Sequence, residues 1–184
     1  MGIFDMILKE IGGSGLAQVA RKAGISEQDL TNVFSRLVPS VTQGIKNNAS
    51  DPAGAQQLLN ALENGNHQRY LDKPESLDQP ETIEDGNAIL GHIFGSKDIS
   101  RSVAGQTANE TGVDEGIVKK ILPIVASVAM GALSKQASGS GLHAAQLQGG
   151  SGSDSMMGLL GSFLDADKDG DVTDDLLDMA KKLF

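Results

Sequence analysis

The residues whose types and spacing could do chemistry are concentrated near the end of the chain, where residues 165–176 read DADKDGDVTDDL. Four carboxylates fall at the first, third, fifth and seventh places of a calcium-binding loop: Asp165, Asp167, Asp169 and Asp171. Gly170 stands where such a loop turns sharply. Alternating carboxylates put several hard oxygen ligands on one side of a loop, and Ca²⁺ prefers such ligands. The spacing therefore predicts a site for a divalent cation, with Ca²⁺ as the candidate cofactor.

The loop departs from the full calcium-binding pattern at its twelfth place. A complete loop has a bidentate Glu there, whereas this chain has Leu176. We predict Asp175, with Asp174 beside it, as the substitute ligand if the following helix begins early. The alternative is an acidic turn in which Asp171 or Thr173 caps the last helix, because carboxylates are favoured at a helix N-terminus. The sequence leaves both interpretations open.

A second candidate lies near the start of the chain, in the stretch VARKAGISEQDLTNVFSRLVPSV that begins at Val19. A helix, a Gly24 turn and a second helix capped by Ser26 are spaced as in a helix-turn-helix. The implied function would be reading the DNA major groove. The helix that would do so begins with Glu27 and Asp29, which would face phosphates, and only Arg36 offsets them. A structural hairpin is the favoured interpretation, and a divergent DNA-binding protein is the alternative.

Other catalytic or metal-binding patterns are missing from the sequence. The histidines His67, His92 and His143 are isolated, and the chain contains no Cys. Phosphate-cradling loops, dinucleotide fingerprints and serine nucleophile elbows are also absent. The net charge of −9 opposes attachment to nucleic acid or to an anionic membrane surface. We therefore expect no enzyme and no nucleic-acid partner.

Helices are the elements that must position these residues. Leu, Ile, Val and Ala recur at helical spacing along most of the chain, and Gly or Asn follows many of these segments. The long segment from Asp114 to Leu133 is apolar on nearly every face over residues 121–130, so it is predicted to be the central buried helix. Residues 70–86 carry two Pro and many acids and are predicted to be a surface loop or an irregular connection. The predicted fold class is an all-α multi-helical bundle.

A duplicated helix-Gly-helix unit is indicated by two stretches that share one plan. Gly24-Ile25-Ser26 in the first corresponds to Gly112-Val113-Asp114 in the second, and each stretch later reaches an apolar-apolar-Pro step. The predicted organisation is a helical body over residues 1–136, with the two hairpin units at about 15–47 and 98–136. A Gly/Ser-rich linker follows at 137–155, and a C-terminal helical hairpin around the acidic loop at 156–184.

The chain also resembles a bacterial family known only as a domain of unknown function, related to the YidB-like proteins. Three segments carry the resemblance: GNAILGHIFGSK at 86–97, ILPIV at 121–125, and GLLGSFLDADKDGDVTDDLL from Gly158. The resemblance covers most of the chain and implies an all-helical fold. It implies no activity, because the family has no assigned function.

These observations favour a soluble, non-enzymatic structural or protein-interaction module with an unidentified protein partner and a C-terminal calcium loop. The apolar run from Ile121 to Leu133 is too short to cross a bilayer, and the N-terminus lacks the basic start of a secretory signal. We therefore expect a cytoplasmic protein without a membrane span.

Overall fold

The computed structural model describes residues 3–139, and every element within them is helical. Seven α-helices are present in this part of the chain: α1 Ile3–Ala23, α2 Glu27–Ala49, α3 Pro52–Asn64, α4 Arg69–Asp72, α5 Pro80–Phe94, α6 Lys97–Thr111 and α7 Glu115–Gly139. A 3₁₀ turn at Pro74–Ser76 joins α4 to α5. The all-α fold class is thus confirmed.

The bundle is organised around α7, which contacts every other α-helix. All residues from Ile121 to Ser134 are buried, as predicted for the central helix. The polar Ser127 is buried with its hydrogen bond satisfied, because its hydroxyl donates to the carbonyl oxygen of Thr82 at 3.0 Å. The Thr82 hydroxyl in turn donates to the carbonyl oxygen of Ser76 at 2.6 Å. This chain of bonds ties the start of α5 to the core, since buried polar groups without partners would be costly.

The same helix is long and apolar enough to pass a length-and-composition test for a membrane span. The segment that passes is Glu115–Ser138, and 78% of its most apolar window is buried inside the protein. Burial of this kind is what the core helix of a bundle requires, so the pattern is weak evidence for a membrane.

The prediction of a surface loop or an irregular connection over residues 70–86 is wrong at both ends, because only residues 73–79 lie outside α-helices. Tyr70 and Leu71 are buried in α4, and α5 begins at Pro80, inside the stretch predicted to be irregular. Proline kinks or breaks a helix in its interior, yet Pro74 and Pro80 each occupy the first turn of a helical element. Proline is favoured there because the N–H group that it lacks would have no helical partner.

Both predicted turns have the geometry that their sequences suggest. Gly24 and Gly112 adopt positive φ angles of 75° and 73°, which L side chains rarely tolerate. The Ser26 side chain accepts from the amide of Asp29 and so caps α2, and Asp114 accepts from the amide of Gly116 and caps α7. The duplication itself remains a prediction.

Candidate functional site

A groove of about 440 Å³ opens where α5, α6 and α7 meet. Its position follows from a sharp corner between α5 and α6. Gly95 ends α5 with a φ angle of 67°, and the next residue, Ser96, already caps α6 by accepting from the amide of Ile99 at 3.2 Å. The two helices therefore diverge from one point, and the first half of α7 forms the third wall. A groove at such a junction is a usual place for a binding site.

The groove combines an apolar floor with a basic rim. Leu90 and Leu122 are buried and line it, and three cationic side chains also line it: Lys97, Arg101 and Lys119. The rest of the lining is small or polar, namely Asn87, Gly91, Ser96 and Ser100. No acidic residue belongs to this lining within the described part of the chain, although the chain as a whole is acidic.

The positive charge of the rim is only partly neutralised by neighbours. Arg101 lies 3.1 Å from Asp98, and Lys119 lies 2.6 Å from Glu115. Both pairs are exposed, and exposed pairs are weak enough for an incoming anion to compete. Lys97 forms no ion pair with any of residues 3–139. The arrangement can therefore hold a carboxylate or another anion next to an apolar group.

A separate polar cluster joins α4 to α5, in the region where the sequence predicted a loop. The Arg69 guanidinium lies 2.7 Å from the Asp85 carboxylate and 4.8 Å from the centre of the Tyr70 ring, and the Tyr70 hydroxyl donates to the same carboxylate. Burial raises the pKa of Tyr70 above its ordinary value, and the hydrogen bond to Asp85 raises it further. These contacts hold Tyr70 in the core while keeping its hydroxyl satisfied. The only sequence signal for the cluster is the single tyrosine, which needs such a partner when buried.

His67 lies beside this cluster, with its ring centre 6.0 Å from that of Tyr70. Burial lowers the pKa of His67 below its ordinary value of 6.5, the charge of Asp85 opposes that shift, and Arg69 adds to it. His92 is exposed on α5, and His143 lies outside the described residues. The structure thus does not bring His67 and His92 to one site.

The helix-turn-helix candidate lies on α1 and α2. Leu30, Val33 and Leu37 are fully buried, as a hairpin packing into a core requires. The exposed residues at the start of α2 include Glu27 and Gln28. Arg36 is the one basic residue within residues 26–37, and its guanidinium lies 3.3 Å from the Glu110 carboxylate of α6. The surface that would face DNA therefore carries little free positive charge.

The predicted calcium ligands lie in a part of the chain that the structure does not describe. Asp165, Asp167, Asp169, Asp171 and Asp175 all lie outside the described residues. Within residues 3–139, no group of three or more His, Cys, Asp or Glu side chains is arranged to hold a metal ion.

One comparison with known proteins gives a match. A family model described as a bacterial protein of unknown function (DUF937) matches residues 5–136, which is more than half of the chain. No curated protein and no solved structure matches.

Proposed function

The chain belongs to this bacterial family of unknown function, and we propose that it is a non-enzymatic protein-interaction module that binds an acidic segment of a partner in the α5/α6/α7 groove. The observation that carries the proposal is the three-cation rim around an apolar floor on a chain of net charge −9. Charge complementarity of this kind selects acidic partners and speeds their association.

The size of the groove fits a short peptide segment better than a whole protein surface. A volume of about 440 Å³ lies within the range of small-ligand pockets, roughly 300–1,000 Å³. One apolar side chain would rest on the apolar part of the lining, to which Leu90 and Leu122 contribute. Lys97, Arg101 and Lys119 would contact carboxylates on either side of it. Both features together favour a peptide that places an apolar residue between acids.

The test is binding of a fluorescent peptide of alternating Asp and Leu residues to the full chain, followed by fluorescence anisotropy. A variant with Lys97→Ser and Lys119→Ser should bind at least tenfold more weakly, because it removes two of the three cations. Lys120→Ser is the matched control, since Lys120 is exposed on the same helix as Lys119 but does not line the groove. Equal binding by the native chain, the double variant and the control would exclude the groove as the binding site.

We also propose three further features. The calcium loop at Asp165, Asp167, Asp169, Asp171 and Asp175 would add a cation-dependent element to the module. The relation to the YidB-like proteins rests on the segments 86–97 and 121–125 and on the acidic C-terminal segment. DNA binding through residues 26–37 is the alternative function, and the pairing of Arg36 with Glu110 does not favour it.

A further inference from the structure

We propose that the groove is occupied by the acidic C-terminal segment of the same chain, residues 156–178. This inference rests on the proposed function, because it names the first acidic segment that the groove would meet. Contact within one chain would make the C-terminal segment a competitor of outside partners.

Charge complementarity is the first argument. Residues 140–184 contain eight Asp and three Lys, so they carry −5 of the net charge of −9. The remaining −4 belongs to residues 1–139, and the groove in this part brings three cations together without an acid in its lining. Attraction between the segment and the groove is therefore favourable, and it should weaken with salt.

The pattern of the segment also matches the floor and rim of the groove. Apolar residues stand directly before and between the acids, as in Phe163-Leu164-Asp165 and in Asp174-Asp175-Leu176-Leu177-Asp178. Leu90 and Leu122 contribute to the apolar part of the groove lining, and the cations around it would contact the flanking carboxylates. A purely acidic segment would leave that apolar floor uncovered.

The length of chain that follows α7 allows the contact. Twenty residues separate Lys119 from Gly139, a distance of about 30 Å along a helix. Residues 140–155 number sixteen and are rich in Gly and Ser. A Gly/Ser-rich sequence of that length has an average span of roughly 20–24 Å and can extend to about 55 Å. Residue 156 can thus reach the groove from the far end of α7.

The expected consequence is self-competition. A short tether gives the attached segment an effective concentration on the order of 1 mM. If the isolated segment binds with a Kd of about 0.1 mM, an outside acidic peptide should bind about tenfold more weakly to the native chain than to a chain whose segment is neutralised.

The test uses paramagnetic broadening in the full-length protein, which is convenient because the chain has no Cys. A nitroxide attached at Ser162→Cys should broaden the amide NMR signals of Gly91 and Ser100 more than those of Gln68 and Ser134, which lie near the end of α7. The broadening should disappear in about 0.5 M salt and on adding Lys97→Glu and Lys119→Glu. It should persist with the control Lys120→Glu.

Three results would overturn the inference. Broadening centred on Gln68 and Ser134 would show a segment that stays near its attachment point. The second result comes from a mixture of an isotope-labelled chain without nitroxide and an unlabelled chain that carries it. Broadened signals in the labelled chain would show docking between copies. Broadening unchanged by the Lys97 and Lys119 substitutions would place the segment elsewhere.

The anisotropy assay separates failure of the inference from failure of the proposed function. The comparison is between the native chain and a variant with Asp165→Asn, Asp167→Asn and Asp169→Asn. Tighter peptide binding by the variant supports self-competition. If both chains bind the peptide equally and Lys97→Ser weakens that binding, the groove is retained as a partner site and the C-terminal segment is rejected as its occupant. No groove-dependent binding to either chain would reject the proposed function itself.

Discussion

Replacing Gly86 by alanine should destabilise the protein, because the new methyl group would enter the contact between α5 and α7. A Cβ atom built on Gly86 falls 2.0 Å from the carbonyl oxygen of Pro123 and 2.8 Å from its Cα atom. Close carbon-oxygen contacts in proteins are about 3.3 Å or longer. The two helices would therefore have to separate by about 1 Å at a point where both are buried.

Two opposing effects set the magnitude. Alanine is favoured over glycine in a helix interior by about 1 kcal/mol. Overpacking of a core costs typically about 1–3 kcal/mol, and the upper end applies here because the atoms struck belong to the backbone and cannot rotate away. The variant should thus lose about 1–2 kcal/mol in its free energy of unfolding, which corresponds to a Tm lower by roughly 2–8 °C.

Urea and thermal unfolding followed by far-ultraviolet circular dichroism would measure this change. Gly91→Ala is the matched control on the same helix, because a Cβ atom at Gly91 meets nothing within 4 Å. That control should be stabilised by up to about 1 kcal/mol, since only the helix preference of alanine acts on it. If Gly86→Ala were as stable as Gly91→Ala, the close approach of α5 to Pro123 would be refuted.

Three further outcomes are expected. The free energy of unfolding should fall as the pH drops below 6.5, because the pKa of His67 is lowered in the folded protein and the unfolded chain therefore binds the proton first. Urea unfolding at several pH values should show a smaller fall for His67→Asn. An equally small fall for His92→Asn, at an exposed position, would contradict the assignment to His67. Calorimetric titration with Ca²⁺ should show saturable binding that an Asp165→Ala, Asp169→Ala double variant loses, and an absence of heat at millimolar Ca²⁺ would leave the acidic loop as a helix cap. Duplex DNA should not bind in low salt, and salt-sensitive binding abolished by Arg36→Ser would instead support the alternative function.

Some helix ends could be predicted because local chemistry determines them. A hydroxyl or carboxylate at Ser26, Asp51 or Asp114 accepts from amides that the first helical turn leaves without partners, whatever the rest of the fold does. The positive φ angles of Gly24 and Gly112 are equally local, since they depend on the missing side chain. The break at Gly12, where α1 leaves helical geometry, has the same origin.

The duplicated unit remains a prediction, but the positions that it pairs can be compared for burial. Corresponding positions of the two hairpins lie 88 residues apart, as for Gly24 and Gly112. Leu30, Val33 and Leu37 then correspond to Val118, Ile121 and Val125, and all six side chains are buried. The two prolines do not follow this spacing. Pro39 and Pro123 are 84 residues apart, four fewer than the other corresponding positions. A shift of four residues is about one helical turn, so a proline can move by that amount while the buried positions keep the period of the helix.

The sequence by itself determined the all-α class, the helix caps, the glycine turns and the burial of α7. The caps and turns depend on neighbours within a few residues, and the fold class and the burial depend on the pattern of apolar residues along the helices. Only the tertiary structure decided which distant residues meet. Nothing in the order of residues 87–122 shows that Lys97, Arg101 and Lys119 surround Leu90 and Leu122, since that depends on the angle at the Gly95-Ser96 corner. Likewise, Tyr70 and Asp85 stand fifteen residues apart in a stretch that resembles a loop, and they join because packing against α7 buries the ring and leaves its hydroxyl needing a partner.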